Sequence, residues 1–245
     1  MRYLFTPPAP VTVAILGASD RFPVHRIYCL ARNNARHAQE MGFSGHEPPS
    51  FFLKPADAEA LQAVEAGQTA TIRYPSLTRK LFHEIELVIA VGTGGTNIRM
   101  QDADRHIFGY AVGLDMTRQD LLDDLSREGR PWCVGKAFDH SAVIGPITPA
   151  AAAPAVDRAE IFLKVNGGDR QRSDLSRLIW NRKKIVEELS LRWELRPGDL
   201  IYTGTPDGVA AVVPGDILEG GVAGLGSLRA IITAGESAGD ERRGI

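Results

Sequence analysis

The chain contains no long apolar run. Within its 245 residues, no stretch approaches the roughly 18 consecutive apolar residues that a membrane span needs. The net charge of −2 provides no basic field that would attract nucleic acid or an anionic membrane. The N-terminus lacks the basic start, apolar core and small-residue cleavage site of a signal peptide. We therefore expect a cytoplasmic protein that binds neither nucleic acid nor membrane.

Cysteine is scarce. Cys29 and Cys133 are the only two, too few for a disulfide framework. Both stand among apolar residues, so we expect buried and unreactive thiols. The histidines show no zinc-ligand spacing, which argues against structural zinc. The stretch 92–95, GTGG, lacks the lysine and hydroxyl residue that end a phosphate-binding loop.

Glycine and proline, by contrast, are abundant and evenly spread. The 25 glycines and 15 prolines cut the chain into short segments, which predicts a β-rich fold with few long helices. The clearest strands are 84–91 and 106–115. Helices are predicted at 33–41, at 117–128 and, the longest, at 175–191. Residues 130–147 are predicted to be irregular.

Two carboxylates stand at the head of an apolar strand, in the stretch FHEIELVIAVG. Side chains at positions i and i+2 of a strand point to the same side, so Glu84 and Glu86 are neighbours. They form either a solvated pair at a sheet edge or a divalent metal site, because like charges repel unless a cation lies between them. Asp115, at the end of the strand 106–115, is either a third ligand or the N-cap of the next helix.

Other candidate residues are weaker when each is taken alone. His37 and Glu40 lie three residues apart on the predicted helix, which suits either a carboxylate-oriented general base or a solvated helix face. Lys136, in VGKAFD, is either a surface charge or a site residue. The TGTP turn containing Thr205 offers a hydroxyl and main-chain N–H groups to a carboxylate, or is only a turn.

Several stretches together resemble the fumarylacetoacetate hydrolase family. They are RIYCLARNNARHAQEMG, PPSFFLKPADA, HEIELVIAVG, FGYAVGLDMT, GRPWCVGKAFD, LKVNG and RPGDLIYTGTPDGV. Their order and spacing match the family from residue 26 to residue 233. Residues 1–25 are then an N-terminal extension, and 234–245 a disordered tail. The stretches RFPVHRIYC and GYAVGLDMTR are most similar to the fumarylpyruvate hydrolase branch.

The resemblance implies an α+β, β-rich fold, a roll of mixed β-sheet with short helices, usually as a homodimer. It also implies a divalent cation, Mg²⁺ with Mn²⁺ or Ca²⁺ as alternatives, and a small keto acid as substrate. The implied metal ligands are Glu84, Glu86 and Asp115; the catalytic residues are His37, Glu40 and Lys136; the substrate-binding residues are Arg32, Arg118 and Thr205. The implied activity is hydrolysis of a C–C bond in an acylpyruvate, foremost fumarylpyruvate to fumarate and pyruvate, in gentisate-type aromatic degradation.

The sequence also departs from the family pattern. The family's GRNY is replaced by 31–34, ARNN, so that Asn34 takes the place of the tyrosine. Gln119 stands where the family has an arginine, and Leu122 where it has a glutamine that often lines the site. Leucine cannot make the hydrogen bonds of glutamine. Two alternatives therefore remain: a decarboxylase or isomerase of 2-oxo dicarboxylates, and a relative with low activity.

Overall fold

The computed structural model describes residues 3–36, 42, 44, 46–153 and 156–235. Three α-helices lie wholly within these residues: α1 (Gln119–Arg127), α2 (Cys133–Lys136) and α3 (Arg182–Ser190). Short 3-10 turns are found at Met100–Arg105, Ala150–Ala152, Val156–Arg158 and Leu175–Arg177. No helix in this part of the chain is both long and apolar enough to cross a membrane.

Strands make up most of the remaining regular structure. The first nine are β1 (Thr12–Ala14), β2 (Arg21–Pro23), β3 (Ile27–Ala31), β4 (Ser50–Lys54), β5 (Leu61–Ala63), β6 (Thr69–Arg73), β7 (Leu81–His83), β8 (Ile85–Val91) and β9 (Ile107–Asp115). The next nine are β10 (Thr117–Arg118), β11 (Ala142–Ile144), β12 (Thr148–Pro149), β13 (Glu160–Val165), β14 (Gly168–Asp174), β15 (Leu200–Tyr202), β16 (Ala210–Val212), β17 (Ile217–Val222) and β18 (Gly226–Thr233).

These strands form mixed sheets. The largest has the order β4-β3-β15-β8-β9-β11-β5, with β12 also paired to β9. A five-stranded sheet has the order β14-β13-β17-β18-β6, and a three-stranded sheet β10-β7-β16. Parallel pairs (β15 with β3, β11 with β5, β18 with β6) occur beside antiparallel ones. The predicted strand-rich α+β fold with a curled mixed sheet is confirmed.

The central strand β8 explains how the largest sheet is buried. Every residue of Ile85–Val91 is buried. Leu87 and Ile89 belong to one apolar core cluster, while Val88 and Ala90 belong to another. Because strand side chains alternate between the two faces, β8 is packed on both sides. A continuous apolar run is the sequence signature of such a strand.

The prediction of one long helix over 175–191 is wrong for its first half. A 3-10 turn at Leu175–Arg177 is followed by non-helical chain, and α3 begins only at Arg182. The reason is an N-cap: the Asn181 side chain accepts hydrogen bonds from the N–H groups of Lys183 and Lys184. Asparagine is among the residues preferred at this position, so the helix starts there.

Three other expectations are corrected near α1 and α2. The helix predicted at 117–128 begins at Gln119, because Thr117 and Arg118 pair with β7 as strand β10. Residues 130–147, predicted to be irregular, contain α2 and β11. Cys133, predicted to be buried, is exposed on α2, whereas Cys29 is buried in β3 as expected. Val134, its apolar neighbour on the same helix, is itself 50 % exposed, so apolar neighbours in sequence do not bury this part of α2.

Candidate metal and substrate site

Glu84, Glu86 and Asp115 meet where strands β8 and β9 lie side by side. Glu84 precedes β8, Glu86 is its second residue, and Asp115 ends β9. In the antiparallel register Glu86 is opposite Gly113, and the N–H of Asp115 donates to the carbonyl of Glu84 at 2.9 Å. One carboxylate oxygen from each residue lies within 4.8 Å of the others. The strand pair therefore brings together the three residues predicted as metal ligands.

Burial makes this cluster electrostatically costly. Glu86 is 2 % exposed and Asp115 is 1 % exposed. Burial raises the pKa of Glu86 well above its usual range, and the neighbouring charges of Asp115 and Glu84 raise it further. The N–H of Gly204 donates to Glu86 Oε2 at 2.8 Å and offsets part of this effect. A cation near these oxygens would stabilise the ionised form of Glu86.

Lys136 supplies one positive charge to the cluster. Its Nζ lies 2.9 Å from Glu84 Oε1, 2.9 Å from Asp115 Oδ2 and 2.6 Å from Thr117 Oγ1. Burial alone would lower the pKa of Lys136, but the carboxylates of Asp115 and Glu84 outweigh it and raise the pKa above its ordinary value. The side chain is therefore a buried ammonium group that faces the carboxylates.

Lys54 is a second buried cation, which the sequence interpretation missed. Its Nζ lies 2.8 Å from Asp115 Oδ1 and donates to the carbonyls of Met116, at 3.1 Å, and Lys136. In the sequence, Lys54 ends the apolar strand of FFLKP. A lysine is almost never fully buried unless it is paired. Strand β4 is otherwise only partly buried and lies at the edge of the largest sheet, so no local pattern in the sequence indicates this contact.

The residues fit a divalent cation. When Glu86 is ionised, three carboxylates face two ammonium groups, which leaves one excess negative charge (3 − 2 = 1) among the described residues of the cluster. Asp115 Oδ1 forms an ion pair with Lys54 Nζ at 2.8 Å but accepts no hydrogen bond from the described residues. Buried carboxylate oxygens with unused acceptor capacity suit hard cations such as Mg²⁺ or Mn²⁺. The cluster can therefore hold such an ion.

The cluster lies at the inner end of a cavity of about 330 Å³. Lys136 and Thr205 line the cavity beside the carboxylates. The rest of the wall comes from strands β3, β4 and β7, from helix α1 and from connecting segments: Leu30, Ala31, Arg32, Phe52, Phe82, Gln119, Leu122, Asp123, Ser126, Trp132 and Val209. A charged inner end with a largely apolar outer wall is typical of a small-molecule site.

The structure separates the two arginines that were predicted to bind substrate. Arg32 lines the cavity and lies over the Trp132 ring, with its guanidinium carbon 5.2 Å from the ring centroid. Arg118 is not among the lining residues. Its guanidinium lies over the Phe138 ring at 4.5 Å and donates to the carbonyl of Val134 at 3.2 Å. Successive strand residues point to opposite sides, so Thr117 faces the cluster and Arg118 faces away from it.

The two positions of α1 at which the sequence departs from the family pattern both line the cavity. Gln119 and Leu122 line it together with Asp123. Gln119 Nε2 donates to Asp123 Oδ1 at 2.7 Å, so its amide is already engaged on the helix. His37, the predicted general base, and Glu40, predicted to orient it, lie outside the described residues.

Comparison with known proteins gives a consistent result. The family model described as fumarylacetoacetate (FAA) hydrolase C-terminal matches residues 26–233. The chain is 44 % identical to a fumarylpyruvate hydrolase from Ralstonia sp over 165 residues, which are 67 % of this chain and 84 % of the relative. It is also 36 % identical to a mitochondrial oxaloacetate tautomerase from Rattus norvegicus over 203 residues, 83 % of this chain and 89 % of the relative.

A solved structure matches over nearly the whole chain. It is the crystal structure of fumarylpyruvate hydrolase from Pseudomonas aeruginosa in complex with Mn²⁺ and pyruvate. The TM-score is 0.92 at 50 % sequence identity, covering 95 % of this chain and 100 % of the other. The likeness thus extends to the architecture that surrounds the carboxylate cluster.

Proposed function

The chain belongs to the fumarylacetoacetate hydrolase family, and from this premise we propose that it hydrolyses a C–C bond in an acylpyruvate. The proposed substrate is fumarylpyruvate and the products are fumarate and pyruvate. The observation that carries the proposal is the buried cluster of Glu84, Glu86 and Asp115 at the inner end of a substrate-sized cavity. The likeness to a fumarylpyruvate hydrolase that binds Mn²⁺ and pyruvate supports it.

We assign Glu84, Glu86 and Asp115 as the ligands of a Mg²⁺ ion. When bound, the cation supplies Lewis-acid polarisation of the keto-acid oxygens. Mn²⁺ should substitute because oxygen ligands suit both ions, and Ca²⁺ is a further candidate. The protein's contribution is a buried, preformed set of oxygens, which spares the cost of assembling like charges at the moment of binding.

The remaining residues bind and orient the substrate. Lys136 is a buried ammonium at the cluster, suited to offset negative charge that develops on a substrate oxygen. The turn that contains Thr205 lies beside Glu84, Glu86 and Asp115, and we assign it to bind the carboxylate at the pyruvate end of the substrate. Arg32, on the wall, is assigned to a carboxylate at the other end of the substrate. In this proposal Arg118 does not contact substrate.

Hydrolysis also needs an activated water molecule. We assign proton removal to His37, oriented by Glu40, on the sequence resemblance alone. The water oxygen bonds to the acyl carbon and the C–C bond breaks. The bonding electron pair stays with the methylene carbon of the substrate, which takes up a proton and becomes the methyl group of pyruvate. A positioned general base contributes about 10²–10⁴-fold to such a step.

A second activity, on oxaloacetate, is favoured by one specific similarity. The rat oxaloacetate tautomerase shares 36 % identity over 83 % of this chain. Tautomerisation or decarboxylation uses the same keto-acid chelation but needs no attacking water. Gln119 and Leu122 on the cavity wall are the positions at which substrate preference can differ.

One experiment separates the two activities. Purified protein with Mg²⁺ is given either fumarylpyruvate or oxaloacetate. Fumarate, pyruvate and carbon dioxide are quantified, and the interconversion of enol and keto oxaloacetate is followed by ultraviolet absorbance. The proposal predicts fumarate and pyruvate in equal amounts from the first substrate, at a kcat/KM at least tenfold above that for oxaloacetate. Turnover of oxaloacetate alone would replace the hydrolase by the second activity.

The cellular setting follows as part of the same proposal. A fumarylpyruvate hydrolase serves aromatic catabolism, and we expect the protein in the cytoplasm as a homodimer. Light scattering coupled to size exclusion measures its mass directly. The chain mass is 26.6 kDa, so a dimer should elute with twice that value and a monomer would remove this element of the proposal.

A further inference from the structure

The hydroxyl proton of Thr205 is donated within the protein. Thr205 is 3 % exposed, and its Oγ1 lies 2.9 Å from the carbonyl oxygen of Ile85. A carbonyl can only accept, so the hydroxyl proton must be donated there. The same Oγ1 accepts a hydrogen bond from Gln171 Nε2 at 2.8 Å. The hydroxyl therefore has no proton left to donate to a ligand.

The orientation of the Gln171 amide is fixed by its neighbours. The N–H of Ile85 donates to Oε1 at 3.1 Å, and Nε2 donates to the carbonyl of Pro206 at 2.9 Å. Neither contact survives if the amide is flipped, because an N–H cannot accept and a carbonyl cannot donate. His83 Nδ1 lies 3.0 Å from Oε1 and must therefore carry its proton. Gln171 is 1 % exposed, with both donors and both acceptor positions used.

Gln171 thereby connects three separate parts of the fold. It lies on β14 of the five-stranded sheet. Through Ile85 it contacts the start of β8, between the carboxylates of Glu84 and Glu86, and through Thr205 it contacts the TGTP turn. It does not line the cavity itself. Its amide fixes the distance between the turn and the carboxylate cluster.

The main-chain N–H groups of residues 203–205 differ in their hydrogen bonding. The N–H of Thr203 donates to the carbonyl of Leu87 at 3.1 Å, and that of Gly204 donates to Glu86 Oε2 at 2.8 Å. The N–H of Thr205 has no such partner among the described residues. Unpaired N–H groups on buried residues are rare and are usually satisfied by a ligand or by water. Thr205 is buried and lines the cavity.

We propose that Gln171 is a positioning residue of the site, and that Thr205 offers its main-chain N–H rather than its hydroxyl to a carboxylate of the ligand. The inference rests on the proposed function, since it takes the ligand to be a keto acid such as pyruvate. It adds a residue outside the cavity wall and changes the group by which Thr205 acts. Gln171 acts only through Thr205 and contacts no reacting atom.

The first test is a double-mutant cycle on the affinity for pyruvate. The dissociation constant is measured by calorimetry on Mg²⁺-loaded protein for Gln171→Met, Thr205→Val and the double variant. Each single change loosens the turn, so we expect each to weaken binding about tenfold, and the double variant to be no weaker than the worse single. A hydroxyl that bonded the ligand independently of Gln171 would instead give two losses that multiply in the double variant.

One control accompanies the cycle. Gln62→Met removes a glutamine whose amide only donates to the carbonyl of Ala58 at 3.1 Å, so it should bind pyruvate like wild type. A loss in Gln62→Met equal to that in Gln171→Met would overturn the positioning role.

The second test uses the unaltered protein and does not depend on variant folding. The protein is labelled with ¹⁵N-threonine, the Thr205 signal is assigned from its loss in Thr205→Ser, and pyruvate is added to the Mg²⁺-loaded form. We expect the Thr205 amide proton to shift downfield and to exchange more slowly with solvent, because it gains a charged acceptor. An unmoved Thr205 amide at saturating pyruvate overturns the inference. Failure of wild type to bind pyruvate in calorimetry overturns the proposed function itself.

Discussion

At the residue scale, two ammonium groups contact Asp115, each at a different carboxylate oxygen. Lys54 Nζ lies 2.8 Å from Oδ1 and Lys136 Nζ lies 2.9 Å from Oδ2. Lys54 is also held by the carbonyls of Met116 and Lys136, so it is fixed in place. Among the described residues, Lys136 Nζ bonds to side chains of the cluster and to Thr117, and to no carbonyl. A divalent cation competes for those same oxygens, so Lys136 is the group that can turn towards substrate.

The ligand role of Glu86 is tested by the isosteric change Glu86→Gln. The amide keeps an acceptor for the Gly204 N–H but loses the charge, so the fold should persist while Mg²⁺ affinity falls at least about 100-fold. Isothermal calorimetry gives the affinity and circular dichroism gives the fold.

Asp123→Asn is the matched control for Glu86→Gln. Asp123 lines the outer part of the same cavity but does not belong to the carboxylate cluster. Its loss of charge should leave Mg²⁺ affinity within about threefold of wild type, because exposed charges at a distance are screened. If Glu86→Gln bound Mg²⁺ with wild-type affinity, Glu86 would not be a ligand of the metal ion.

The substitution Lys136→Met separates catalysis from metal binding. Without the ammonium we expect kcat to fall about 10²–10³-fold, the usual cost of removing one charge-stabilising donor. Mg²⁺ affinity should not fall, because the variant removes a positive charge that competes for the same carboxylates. Steady-state kinetics and calorimetry on the same preparation measure both quantities.

Lys164→Met provides the comparison for Lys136→Met. Lys164 is a partly exposed lysine of β13, 3.8 Å from Asp169 and outside the cavity wall. It should keep wild-type kcat, since exposed ion pairs contribute little. A parallel loss of Mg²⁺ binding and turnover in Lys136→Met would show instead that Lys136 holds the site together.

At the element scale, the position of Lys136 depends on how α2 packs against α1. A Cβ added at Gly135 would lie 3.1 Å from Leu122 Cβ and 3.2 Å from its Cα and N. These atoms are part of or close to the backbone, so they cannot move aside cheaply. Leu122, where the family pattern has glutamine, thus contributes to the cavity wall and to the contact that holds α2.

The packing of the two helices is tested by Gly135→Ala. The added methyl group should push α2 away from α1 and lower the free energy of unfolding by about 1–3 kcal/mol. Because Lys136 is the next residue, kcat should also fall. Gly145→Ala is the control, since its added Cβ would meet only ordinary contacts at 3.6 and 3.9 Å. Equal stability and equal kcat in the two variants would refute this account of the contact.

At the scale of the whole molecule, the site joins parts of the chain that are distant in sequence. The side-by-side placement of Glu84 and Glu86 was predictable, because it follows from strand geometry alone. Asp115 was placed with them only by resemblance, since its approach depends on the pairing of β8 with β9. Lys54 and Gln171 reach the site from other strands, and no local pattern indicates such contacts.

Other features could not be predicted because a boundary shift of one or two residues changes where side chains point. Arg118 was assigned to substrate by the resemblance, because it stands next to the position of the family's arginine. The chain continues as β10 to Arg118, so that Thr117 takes the inward position. Likewise the N-cap at Asn181 delays α3, although the apolar spacing of 175–191 resembles one continuous helix. Tertiary pairing and capping override periodicity at these positions.

Metal binding should stabilise the entire fold, because the three carboxylates converge only in the native structure. At a Mg²⁺ concentration of about 100 times the dissociation constant, the gain is about 2.7 kcal/mol. For a chain of this size that corresponds to a rise in Tm of roughly 5–11 °C. Differential scanning fluorimetry with Mg²⁺ or EDTA measures it. The same rise in Glu86→Gln would place the stabilising ion elsewhere.

The most direct measurement of the central claim is the loss of ultraviolet absorbance of fumarylpyruvate on addition of the protein. The assay is run with Mg²⁺, with EDTA, and with EDTA followed by excess Mg²⁺, for wild type and Glu86→Gln in parallel. The account predicts rapid loss by wild type, arrest by EDTA, recovery with Mg²⁺, and fumarate and pyruvate in equal amounts, with almost no turnover by the variant. Absorbance that stays constant with Mg²⁺-loaded wild type, or hydrolysis that EDTA does not affect, would contradict it.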